Sequence, residues 1–113
     1  MIQTGETKKK YDLEERTAYF GESVIKFCRN IRQDNITSPL VNQLVRSATS
    51  IGANYMEANG ASSKKDFVNK IFICKKESQE TKHWFRMLKS STHHSLHPQI
   101  DPLAKECQEL IGT

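Results

Sequence analysis

Between Ser63 and Lys89 the chain has no Gly and no Pro, and apolar or small side chains recur at Phe67, Ile71, Cys74, Ser78, Thr81, Phe85 and Leu88. The intervals alternate between four and three. A repeat of 3.5 residues puts these positions on one seam of a helix that packs nearly parallel to its neighbours in a bundle. At 1.5 Å per residue this helix is roughly 40 Å long. The same spacing occurs upstream at Leu13, Thr17, Phe20, Val24, Phe27 and Ile31. Asp12 is the expected cap of that first helix, with Glu14 and Glu15 at the positive end of its dipole. Residues 1–11 then read as a polar, flexible tail. Gly21 falls mid-helix, where it costs up to about 1 kcal/mol against Ala and implies a close neighbour. The polar run Arg32-Gln33-Asp34-Asn35 ends the helix.

Ser38-Pro39 is expected to open a second helix, with a capping hydroxyl followed by a Pro whose missing N–H is not needed in the first turn. This helix has two apolar stripes. Leu40, Leu44, Ser47, Ile51, Tyr55 and Ala58 form one; Val41, Val45, Ala48, Gly52 and Met56 form the other. Asn59-Gly60 is a stop, with Gly60 expected in the left-handed conformation, and Ser62 or Ser63 caps the third helix with Asp66 in its first turn. Ser90 to Pro102 reads as a loop. Leu103, Cys107, Leu110 and Ile111 then mark a short fourth helix of about 16 Å. The pattern predicts an all-α chain over residues 12–113: an up-down-up-down four-helix bundle with no sheet, its fourth helix covering less than half of the third.

Two surfaces exceed what a lone bundle needs. The second stripe of the second helix (Val41, Val45, Ala48, Gly52, Met56) adds an apolar face, and the short fourth helix leaves one end of the third helix's seam uncovered. Both predict a homo-oligomer, with that stripe as its interface.

Charge sharpens the picture because it is concentrated. The chain has 17 Lys and Arg against 13 Asp and Glu. The third helix holds Lys64, Lys65, Lys70, Lys75, Lys76, Lys82, Arg86 and Lys89 against Asp66, Glu77 and Glu80. Lys8, Lys9 and Lys10 tip the N-terminal tail, and the rest of the chain is net acidic. At 100° per residue, Lys64, Lys75, Lys82 and Arg86 share one flank of the third helix, with Lys65, Lys76 and His83 behind them. Asp66, Glu77 and Glu80 lie opposite. A solvated face mixes signs for local pairing. The segregation makes Lys64, Lys65, Lys75, Lys76, Lys82 and Arg86 candidates for a nucleic-acid-binding surface. Arg46, alone on a nearly uncharged helix, is the first candidate partner for Glu77 and Glu80; if buried, such a pair would be costly to break.

Other chemistry is sparse. Cys28, Cys74 and Cys107 are odd in number and widely spaced, so they read as small core residues in a reducing compartment. No segment suits a signal peptide or a membrane span, which predicts a cytoplasmic protein with no membrane partner. His93, His94 and His97 lie in a Ser- and Pro-rich stretch with no thiolate or carboxylate spaced to complete a metal site. Glu80 and His83 stand one turn apart, without a nucleophile, an oxyanion donor or a phosphate loop. Trp84 reads as a core or interface residue before a base-stacking one. The residues thus predict no enzymatic activity, cofactor, metal or small-molecule substrate.

Three segments carry a family resemblance. They are Tyr11-Asp12-Leu13-Glu14-Glu15-Arg16-Thr17, the run Leu44-Val45-Arg46-Ser47-Ala48-Thr49-Ser50-Ile51-Gly52-Ala53-Asn54-Tyr55-Met56-Glu57-Ala58, and Lys75-Lys76-Glu77-Ser78-Gln79-Glu80-Thr81-Lys82-His83-Trp84. They resemble the bacterial four-helix-bundle proteins encoded within 23S ribosomal RNA intervening sequences, which are similar to the accessory variability proteins of diversity-generating retroelements. The resemblance spans about Tyr11 to Ile111. It implies an up-down bundle, a ring-like homopentamer, and a basic surface that engages RNA or a reverse transcriptase, with no enzymatic activity. Two functions stay open from the residues: a module that binds RNA or a nucleoprotein through its lysine flank, and a structural oligomeric adaptor that binds proteins through apolar helix faces. Salt dependence separates them, because phosphate contacts release counterions and apolar contacts do not.

Overall fold

The computed structural model describes residues 5–111, with side chains from residue 13 onward. Four helices follow one another: α1 (Gly5–Arg29), α2 (Thr37–Asn59), α3 (Lys64–Ser91) and α4 (His97–Leu110), with a 3-10 turn at His94–Leu96 before the last. No strand occurs among the described residues. The short connections fold each helix back on the previous one. α1 packs on α2, α2 on α3, α3 on α4, and α4 returns to α1, closing an all-α four-helix bundle.

The core forms where the seams meet. Phe20, Val24, Phe27 and Ile31 of the first segment pack with Leu44, Ala48 and Ile51 of α2, Phe85 and Leu88 of α3, and Ile100, Cys107 and Leu110 of α4. Two of the buried hydroxyls, those of Ser47 and Thr81, enter this interior without disrupting it, because they bond to each other. The Thr81 hydroxyl lies 2.8 Å from that of Ser47 and 2.8 Å from the Glu77 carbonyl.

Several helix ends differ from the sequence expectation. α1 begins at Gly5, so Asp12 stands within the helix and does not cap it; of the expected tail, residues 1–4 lie outside the described residues. α2 opens on Asp34 and not on Ser38-Pro39. The Asp34 carboxylate accepts the N–H groups of Ile36 and Thr37, both at 2.8 Å, while the Thr37 hydroxyl accepts the Asp34 N–H at 2.9 Å. Ser38 is turned aside to donate to Gln33. Gly60 is not left-handed (φ −95°), because Ala61 N–H bonds the Ala58 carbonyl and tightens the end into a 3-10-like turn. Ser63 does cap α3, accepting from Asp66 N–H at 3.0 Å. The expected loop at Ser90 to Pro102 is mostly helical. α3 runs on to Ser91, and α4 starts at His97 because Pro98 suits a first turn and Ile100 is buried against the core. α4 is still only 14 residues against the 28 of α3, about 21 Å against 42 Å.

Two measurements check this local physics. The Thr37 and Ile36 amides hold the Asp34 carboxyl below its usual range, the Thr37 amide contributing most. A depressed folded value means the carboxylate's contribution is complete above the ordinary carboxylate range, about pH 4, and is lost as pH falls through the folded value. Asp34→Ala is expected to lower Tm by a similar amount at every pH above that range, and the gap to wild type should close in melts taken at progressively lower pH. At Gly21 an added Cβ would meet Thr49 Cγ2 at 3.5 Å, an ordinary contact. Gly21→Ala is therefore expected to stabilise the bundle by about 0.5–1 kcal/mol through helix propensity alone, visible as a Tm raised by a few degrees.

Candidate nucleic-acid interface

Capped by Ser63, α3 enters the bundle only part-way along its length. Its seam is buried at Cys74, Ser78, Thr81, Phe85 and Leu88, but Ile71 is half-buried and Phe67 is 40 % exposed. α4 runs out beside the middle of α3, so among the described residues the N-terminal turns of α3 rest on α2. Phe72 (66 % exposed) and Val68 (42 %) stand off the seam entirely. Sequence periodicity passed over these two residues. On a 100° wheel they fall among the lysines, between the directions of Lys75 and Lys76, so large apolar residues at off-seam positions were the available signal.

The candidate cations divide by what holds them. Lys64, Lys65, Lys75, Lys76 and Arg86 are exposed, and among the described residues none has an ion-pair partner. Lys82 is half-buried and donates to the Gln108 side chain of α4. Lys70 and Lys89, by contrast, are neutralised by Glu57 and Asp101, each at 2.6 Å. Where α4 ends against α3 there is a cleft of about 180 Å³, bordered by Lys75, Gln79, Lys82 and Gln108 and, on its apolar side, by Cys107 and Ile111. Ser78 also lines it, and its buried hydroxyl has no partner among the described residues.

The glutamates of α3 are occupied elsewhere. Asp66 sits in the first turn, and the Arg46 guanidinium reaches Glu80 at 2.8 Å and Glu77 at 3.3 Å. Arg46 is half exposed, so this α2–α3 bridge is worth roughly 0.2–1 kcal/mol and not the several of a buried pair. Pulling both glutamates toward α2 keeps them off the lysine flank.

The expected oligomer stripe on α2 is mostly internal. Val41 and Ala48 lie in the bundle core, Val45 packs half-buried against it, and Gly52 faces the α1 backbone, its missing Cβ only 3.4 Å from Thr17. α2 carries two stripes because it is sandwiched between α1 and α3. Only Met56, 57 % exposed, remains open to a partner.

The remaining candidates are structural. Burial pushes the Cys28 and Cys74 thiols up to about 11 and that of Cys107 to about 12, which suppresses the nucleophilic thiolate. His93 accepts the Ser95 N–H, and His97 Nε2 lies 3.2 Å from the Lys89 carbonyl, so both brace the α3–α4 turn. No group of three or more His, Cys, Asp or Glu that could hold a metal ion occurs among the described residues. Trp84 packs half-buried against the core and makes an edge-to-face contact with the His83 ring, the centroids 5.0 Å apart. No helix among the described residues is long and apolar enough to cross a membrane.

The fold has relatives. The chain is similar to the crystal structure of a protein of unknown function from the S23 ribosomal protein family of Bacteroides thetaiotaomicron. The TM-score is 0.70 at 30 % sequence identity, covering 88 % of this chain and 94 % of that one. No curated protein matches the sequence. The family described as 23S rRNA-intervening sequence protein matches residues 9–113. With nearly the whole bundle inside that match, the chain belongs to the 23S rRNA-intervening sequence protein family.

Proposed function

We propose that this protein is a non-enzymatic, self-associating bundle that binds RNA, or a nucleoprotein partner, through the basic flank of α3 in the cytoplasm. One observation carries the reading: Lys64, Lys65, Lys75, Lys76 and Arg86 stand exposed without carboxylate partners among the described residues, while Glu77 and Glu80 are drawn away by Arg46. An unneutralised row of cations on a rigid helix suits a polyanion. Lysines offer point charges and little base discrimination, so the binding is sequence-tolerant. Buried thiols and glutamates engaged in ion pairs support a role without catalysis, cofactor or small-molecule substrate.

The test is a salt titration with a structured RNA. Affinity should fall steeply and linearly in log–log form as salt rises. Binding no tighter than to an uncharged polymer at low salt would leave the second reading, a structural adaptor that docks protein partners without nucleic acid. That reading is favoured by the exposure of Phe67, Val68 and Phe72.

A further inference from the structure

The cleft where α4 ends against α3 gathers chemistry that the bundle core does not use. Lys75, Ser78, Gln79 and Lys82 follow one another along α3 at intervals of three, one and three, so a single face of the helix borders the cleft. Gln108 faces them from α4, with Cys107 and Ile111 as an apolar wall. Among the described residues no Asp or Glu lines it. The glutamates adjacent in sequence are engaged outside it: Glu77 and Glu80 with Arg46, Glu106 and Glu109 with Arg16. Lys82 donates to the Gln108 side chain, a neutral group, so its charge is not cancelled there.

Ser78 is unusual among the helical hydroxyls. Those of Thr49, Ser50 and Thr81 donate to carbonyls one turn back. The Ser78 side chain is only 7 % exposed and its hydroxyl has no partner among the described residues. Burying a hydroxyl without a partner costs free energy. Here it lies in the wall of a cleft that also carries two ammonium groups. An anionic oxygen is the one acceptor that serves all three donors.

We infer that this cleft holds the terminal phosphomonoester of an RNA strand. The inference rests on the RNA-binding half of the proposed function and deepens it. Two features favour a strand end over an internal phosphate. First, α3 and α4 meet along the inner side of the cleft, where the Cys107 thiol donates to the Ser78 carbonyl at 3.3 Å and Lys82 bonds Gln108. A strand therefore cannot run through, and the volume of about 180 Å³ matches roughly six waters at about 30 Å³ each, room for one phosphate group and little beyond it. Second, a monoester has three non-bridging oxygens and close to two negative charges at neutral pH, against two oxygens and one charge for an internal diester. Lys75 and Lys82 neutralise that dianion, and the Ser78 hydroxyl donates to its third oxygen after one change of χ1 rotamer. The apolar wall of Cys107 and Ile111 excludes water on one side and strengthens the attraction.

The test compares oligoribonucleotides of one sequence, labelled internally and ending in a 5′-phosphate, a 3′-phosphate or hydroxyls alone, by fluorescence anisotropy with the full chain at 0.1 M salt. The readout is the ratio of affinities for phosphate-ended and hydroxyl-ended RNA. Wild type is expected to favour a phosphate end by about tenfold or more, the weight of one phosphate contact at this salt. The two phosphorylated arms decide which terminus the cleft takes, and a preference at either supports the site. Ser78→Ala should lower the ratio about fivefold, the weight of a hydrogen bond to a charged group, while affinity for hydroxyl-ended RNA and the helical circular dichroism stay as in wild type. Lys82→Met should bring the ratio close to one. Lys76→Met, on the flank outside the cleft, should weaken all three RNAs alike and preserve it. Equal binding of the three RNAs by wild type, or a preference that survives both Ser78→Ala and Lys82→Met, overturns the site and leaves RNA binding standing. Failure of every RNA to bind at low salt overturns the RNA reading itself, and the end-phosphate site with it.

Discussion

Phe85→Ala is expected to destabilise the bundle by about 3–5 kcal/mol, the usual range for truncating a fully buried ring. Phe85 is 1 % exposed and belongs to the cluster that joins all four helices. It lies on the half of α3 that α4 covers, so the vacated space is walled by elements fixed on several sides and cannot collapse cheaply. A loss of this size is a large share of the 5–15 kcal/mol that holds a typical domain together, and Tm should fall by more than about 10 °C. The matched control is Phe72→Ala on the same helix. With its ring two-thirds exposed, the variant should melt within a few degrees of wild type when both are compared as monomers. Equal losses at the two positions would mean that the uncovered end of α3 is packed in the monomer.

Charge reversal at Lys76 and Arg86 together is expected to weaken RNA binding roughly fiftyfold or more at 0.1 M salt. Each phosphate contact contributes a slope of about 0.9 in log affinity against log salt, hence close to tenfold per contact at that concentration. The slope itself should flatten by about two units. Neither side chain has a structural partner among the described residues and both are exposed, so the melting temperature should not move. Asp66→Ala provides the opposite sign, removing a negative charge from the far flank and leaving affinity unchanged or slightly raised. A double variant that binds with wild-type slope would place the phosphates elsewhere on the molecule.

The seams of α1 and α3 and the shortness of α4 could be read from residue order because burial of a helical face repeats every three to four positions and needs no knowledge of the partner. The segregation of Lys64, Lys75 and Arg86 from Glu77 and Glu80 followed from the same periodicity. Ile100 lay outside that reading, since Pro98 and Pro102 obscured a helix that a single buried side chain helps to anchor. Asp34 was likewise passed over, because its capping role depends on the chain bending back at Thr37.

Residue order alone could not say which apolar faces would be covered. Val41 and Ala48 resemble an outer stripe in sequence but are core, because α2 is held between α1 and α3. Phe67 continues a seam that is buried from Cys74 onward, yet it is exposed, because α4 stops beside the middle of α3. Arg46 and Glu80 are 34 positions apart, and only the α2–α3 packing brings them to 2.8 Å. Periodicity fixes the direction of a side chain around its own helix, which is a local property. What meets that direction depends on the lengths and placement of the other helices, and only their packing decides it.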